Sequence, residues 1–179
     1  HWDMQTYMPS KGIKQRSDVL SLLKRLGHEM LIAPEMKTLL KKLEHGSSFT
    51  EKQQRELLLF RREFDRETKL PSDFVQELSK QTAITTYKWQ TAKKENNFTL
   101  IESELTKLVD LVKQKAAYLD PDADPWDVLG HDFEPNVTGK QIAKFFEPLK
   151  KGVLNLIERY NRAMESCDET PHTNLLDVP

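Results

Sequence analysis

The chain has 179 residues with 27 Lys and Arg against 28 Asp and Glu, and its formal net charge of -1 supplies no overall field to draw nucleic acid or an anionic membrane. Hydrophobic residues make up 37% and charged residues 31%, a balance that asks for a large polar surface over a modest core and suits long, slender helices in one domain. Cys167 is the single cysteine, so no intrachain disulfide can form; with no apolar run near the ~20 residues that span a bilayer, a soluble chain in a reducing, cytoplasmic setting is expected.

From Gly12 to Ile32 the residues Ile13, Val19, Leu20, Leu23, Leu26, Met30 and Leu31 recur at helical spacing, which predicts one long amphipathic helix with a single apolar stripe. Pro34 ends it and opens a short helix through Met36, Leu39, Leu40 and Leu43, with Gly46 placed to cap its end. Thr50-Glu51-Lys52-Gln53 has the form of a capping box and predicts a third helix from Glu51 to about Lys69. Pro71 punctuates again. Phe74, Val75, Leu78, Thr82, Trp89 and Ala92 then continue a helical stripe until Asn96-Asn97, where Asn97 can cap a further helix carrying Leu100, Ile101, Leu105, Leu108, Val109, Val112 and Leu119.

Asp120 to Pro125 interleaves two prolines with turn-forming aspartates and cannot continue a helix; a short helical turn is expected from Trp126 to Leu129. Thr138-Gly139-Lys140-Gln141 is a second capping box. It precedes the last apolar stripe, Ile142, Phe145, Phe146, Leu149, Leu156, Ile157, Tyr160 and Met164, in which Pro148 should kink or split the helix. No alternating apolar and polar run bounded by turns occurs, so no strand is predicted. The fold class expected is all-α, with long amphipathic helices in an irregular antiparallel bundle.

Side chains able to do chemistry are scarce. His28-Glu29 begins the His-Glu-x-x-His pattern, which sets two imidazoles one helical turn apart on one metal, but Ile32 stands where the second histidine is needed and cannot ligate. His1, His45, His131 and His172 have no metal ligand three or four residues on in a predicted helix. Cys167 lies beside Asp168 and Glu169, neighbours that disfavour a thiolate, and the glycines never cluster into a phosphate-cradling loop. No catalytic and no metal-binding residue is therefore assigned. Two irregular segments concentrate aromatic, acidic and proline residues: His1 to Pro9 and Asp124 to Pro135. They are read either as helix-joining loops or as the lining of a cleft.

Trp2-Asp3-Met4-Gln5-Thr6-Tyr7-Met8-Pro9, followed by a Lys/Gly step and a long helix with Leu26-Gly27-His28-Glu29 near its end, resembles the start of the Taq-type metallocarboxypeptidases. Arg61-Arg62-Glu63-Phe64 to Lys69-Leu70-Pro71, the Trp89 segment to Lys94-Glu95-Asn96-Asn97-Phe98, Pro125 to Leu129 and Asp132 to Thr138 agree in order and spacing. The resemblance implies an almost wholly helical fold in two halves around a deep groove, commonly a homodimer. It also implies removal of C-terminal residues from peptides by a water on a divalent metal, zinc or cobalt. The implied ligands, two histidines of His-Glu-x-x-His and a later glutamate, are not in this chain.

The chain is accordingly expected to be the N-terminal, non-catalytic part of such an enzyme, cut at both ends from something longer. Residues 1–165 would form a helical subdomain on the lid side of the groove, and 166–179 a polar connector toward the missing catalytic portion. Its expected partners are that portion, peptides with a free C-terminus and a second copy, with no metal held by this chain itself. Trp2, Asp3 and Tyr7 are the candidates to face the groove, since they open the segment at its most irregular point. Cut in this way, the helices should leave an apolar patch exposed. The alternative is a free-standing helical interaction module without enzymatic activity.

Overall fold

The structure, a computed structural model, describes residues 7–46 and 48–165. Among them it is all-α, with no strand. A 3₁₀ turn at Ser10–Gly12 leads into seven α-helices: α1 (Ile13–Leu31), α2 (Pro34–Glu44), α3 (Glu51–Glu67), α4 (Ser72–Lys94), α5 (Thr99–Leu119), α6 (Pro125–Gly130) and α7 (Gly139–Glu165). The chain divides into two compact units, one through Val128 and one from Leu129. The expected polar connector, 166–179, lies outside the described residues.

The helix boundaries follow local chemistry. Both capping boxes form: Thr50 Oγ1 accepts the Gln53 N–H at 3.3 Å while Gln53 Oε1 accepts the Thr50 N–H at 2.9 Å, and Thr138 with Gln141 repeats the exchange at 3.3 and 2.8 Å. Asn96, with φ 49°, takes the left-handed position after α4, and the Asn97 N–H returns to the Ala92 carbonyl at 2.9 Å. Asn97 also accepts the Thr99 N–H at 3.1 Å, but the N-cap of α5 is Phe98, which makes no side-chain cap, so the expected Asn97 cap lies one residue early.

Two further expectations need correction. Gly46 does not adopt a left-handed conformation, and the α2 C-cap is His45. Glycine is needed there for space, because a Cβ would stand 2.8 Å from the Phe49 ring. Pro148 does not split α7, which runs unbroken from Gly139 to Glu165. Proline deprives the Lys144 carbonyl of its helical donor, but no residue of this helix is buried, so water can serve that carbonyl.

In the first unit α4 is the central helix, packed most extensively against α1 and next against α5. Its core comprises Leu40, Phe64, Leu70, Phe74, Val75, Ile101, Leu111 and Leu119 with the small Ala83, Ala92 and Ala116, and Phe74 meets Tyr118 edge-on at 5.0 Å between centroids. Each large side chain withdrawn from water here contributes roughly 1.5–3 kcal/mol.

The apolar stripe of α1 is not part of that core. The helix buries Ser17, Ser21 and His28, while Val19, Leu22, Leu23, Leu26 and Met30 stay exposed. Ser17 and Ser21 can be buried because their hydroxyls donate to the carbonyls of Lys14 and Asp18 at 2.8 and 2.9 Å, and their small size lets α1 and α4 approach closely. Amphipathic patterning marks the helix and its stripe but does not say which face meets the neighbour.

The second unit consists of the turns from Leu129 to Thr138 and α7. Asn136, at φ 65°, donates its N–H to His131 Nδ1 at 3.1 Å and fixes the loop before the capping box. Phe145 and Phe146 meet edge-on at 5.4 Å, yet both are exposed, as are Leu149, Val153, Leu156, Ile157 and Tyr160.

Candidate functional site

Of the groove candidates, Trp2 and Asp3 lie outside the described residues. Tyr7 is described and its side chain is 75% exposed just before the 3₁₀ turn. Of the other segments singled out from the sequence, Leu26 to Glu29 and Arg61 to Pro71 meet at the corner between α3 and α4.

His28, 3% exposed near the end of α1, reaches that corner with both ring nitrogens. Nε2 lies 3.0 Å from the Glu67 carbonyl oxygen, which can only accept, so Nε2 carries a hydrogen. Nδ1 lies 3.1 Å from Ser72 Oγ, a hydroxyl that can donate to it or accept from it. The Glu67 carboxylate is 3.6 Å from Nε2 and adds an acidic neighbour. One turn earlier, Arg25 donates to Glu29 at 2.8 Å, to Gln76 at 3.2 Å and to Asp73. These partners hold the Arg25 guanidinium above its usual range, the Glu29 hydrogen bond first and the Asp73 charge next.

The corner is tied from its other sides as well. Lys69 Nζ donates to the Leu119 carbonyl at the end of α5 at 2.6 Å, and Arg66 Nη2 donates to the Val128 carbonyl at 3.3 Å. Arg61 bridges Asp65 at 2.8 Å and Glu44 at 2.9 Å, joining α3 to α2. The Leu-x-His-Glu segment and the stretch from Arg61 to Pro71 thus form one polar hub that ties together α1 through α6 around a turn.

This donor set does not fit a metal ion. Both His28 nitrogens are engaged, His131 Nδ1 accepts a backbone N–H, and Ile32 occupies the place of a second ligand one turn beyond His28. Among the described residues no group of three His, Cys, Asp or Glu comes together to hold one.

Sequence reasoning missed two features. Gln81 on α4 donates to Thr85 at 3.1 Å and to the Glu104 carboxylate at 2.7 Å, and Lys88 meets the same carboxylate at 2.6 Å. The hydrogen bonds from Lys88 and Gln81 hold the Glu104 carboxyl below the usual range. A Gln, a Lys and a Glu on two helices carry no joint sequence signal. The second feature is a groove of 610 Å³ between α1, α4 and α5, floored by Leu20, Leu23, Leu70, Leu78 and Ala83 with Lys24 among its walls.

Over residues 1–176 the chain matches the family described as carboxypeptidase Taq (M32) metallopeptidase. It belongs to that family. Thermostable carboxypeptidase 1 of Pyrococcus furiosus is 30% identical over 158 residues, which cover 88% of this chain and 32% of that relative. Carboxypeptidase 1 of Bacillus subtilis is 26% identical over 160 residues, covering 89% of this chain and 32% of the relative. The crystal structure of BsuCP superposes with a TM-score of 0.83 at 26% identity, over 89% of this chain and 32% of that one. The M32 chain described here therefore spans about a third of the length of the relatives it matches. Its family is one of metallopeptidases, while the described residues bring together no metal-binding group.

Proposed function

We propose that this chain is the N-terminal, non-catalytic helical part of a metal-dependent carboxypeptidase that removes C-terminal residues from peptides. In this reading residues 1–165 form the lid side of a peptide groove, 166–179 lead toward the catalytic portion, and zinc or cobalt is held by that portion. Trp2, Asp3 and Tyr7 face the substrate. The whole enzyme is a homodimer and works in the cytoplasm, a setting in keeping with a single cysteine.

The observation that carries the reading is the M32 match along residues 1–176 together with a hub whose histidine is committed to hydrogen bonds. The polar residues of that hub hold helices rather than reactants.

Release of C-terminal amino acids from a peptide with a free carboxylate tests this. The chain alone, with zinc or cobalt added, should release none. The same chain joined to the continuation that its own genome encodes, carrying His-Glu-x-x-His, should release them. In the joined protein Tyr7→Phe and Asp3→Asn should lower turnover without lowering the melting temperature; unchanged kinetics would remove these residues from the groove.

The exposed apolar face of α7 also suits a free-standing interaction module. A genome with no His-Glu-x-x-His continuation in frame would favour that reading over the first.

A further inference from the structure

We infer that the outward face of α1, from Val19 to Met30, is the seat of an α-helix from the part of the carboxypeptidase fold that has no counterpart in this chain. The inference rests on the reading proposed above and adds to it the surface by which the two parts join.

The first observation is the inversion of α1. A helix whose only neighbours were those of the first unit would turn its leucines inward, yet α1 gives its serines and His28 to that side and leaves Leu22, Leu23, Leu26 and Met30 exposed. The second is Gly27. At about 100° per residue it falls about 40° from Leu23 and about 60° from Met30, on the edge of the apolar face. A Cβ built on Gly27 meets nothing within 4 Å, so among the described residues no contact requires a glycine there. Glycine disfavours a helix interior, and a bare backbone on an apolar face is what allows a second helix to approach closely. The third is the adjoining groove of 610 Å³, which continues the apolar surface from Leu20 and Leu23 to Leu70, Leu78 and Ala83.

Two facts fix the occupant. The face runs through 12 residues, Val19 to Met30, or about 16 Å of helix axis, the length of three turns of a partner helix. Relatives that superpose on this chain have 32% of their length matched by it, so each carries further chain that could cover the face. A second copy fits less well. Five exposed apolar side chains fall short of the ~800 Å² per partner that a stable association of free chains buries, whereas they suffice for one contact within a larger fold.

The test compares Gly27→Ala in two proteins: the isolated chain, and the chain joined to its genomic continuation. In the isolated chain alanine has room and favours the helix, so the melting temperature should rise by about 2–4 °C. In the joined protein the methyl group should obstruct the seated helix and lower it. Leu26→Glu provides a second comparison, with little change expected in the isolated chain and a lowered melting temperature in the joined protein. A rise with Gly27→Ala in both proteins would overturn the inference, as would concentration-dependent dimers of the joined protein that Leu26→Glu disrupts. Peptidase activity of the unsubstituted joined protein is read separately, so loss of the functional reading and loss of the docking surface are distinguishable.

Discussion

Helices α4 and α7 read alike in the sequence, each a long run with an apolar stripe, but they end in opposite situations. Helix α4 buries Phe74, Val75, Gln81, Ala83, Thr85 and Ala92 between neighbours, whereas α7, 27 residues long, buries none of its side chains. The difference teaches that a stripe specifies a helix and the side that shuns water, but not the partner that covers it. A partner is named only when another segment of the same chain supplies complementary small or polar residues, as Ser17 and Ser21 of α1 do for α4.

The sharpest way to break this comparison is to truncate matched aromatics. Phe64→Ala in the packed unit should cost about 3–5 kcal/mol in chemical denaturation, since its atoms leave a cavity among fixed neighbours. Phe146→Ala on α7, at an exposed position, should stay within about 0.5 kcal/mol. Similar losses at the two sites would mean that α7 is as fully packed in solution as α4.

His28 tests the hub at the next level of effect. His28→Ala leaves the Glu67 carbonyl and the Ser72 hydroxyl without their shared partner and should cost roughly 1–3 kcal/mol, more than Arg61→Ala at the exposed end of the same corner. Equal losses would remove His28 from its place at the centre of the corner.

The smallest effect lies in the α4–α5 network. Folding holds the Glu104 carboxyl below its ordinary range, so its contribution is present above the unfolded value and is lost as pH falls through the folded one. Urea midpoints between neutral pH and the acid side of the carboxylate range should therefore fall more for the natural protein than for Glu104→Gln. Parallel curves would remove this carboxylate from the acid limb.

What was legible in the sequence is local. Thr50 with Gln53 and Thr138 with Gln141 announce helix starts because each pair satisfies its own backbone groups without distant help. Asn96 and Asn97 mark the break between α4 and α5 for the same reason, although the N-cap of α5 falls on Phe98. Gly46 was misread because its glycine answers to Phe49, a contact that spacing does not encode. The stripe of α1 was legible as a stripe, but period alone does not tell a core from a surface awaiting a neighbour. The failure of the His-Glu-x-x-His pattern at Ile32 was legible, but the partners of His28, Glu67 and Ser72, lie far along the chain and carried no signal. Among the groove candidates only Tyr7 falls within the described residues.

The central claim, that this helical part holds no catalytic metal of its own, is tested most directly by native mass spectrometry of the isolated chain after loading with zinc and removal of excess ion. The account predicts the mass of the bare polypeptide and no release of C-terminal residues from peptides. One zinc retained per chain, together with peptidase activity lost on chelation, would contradict it.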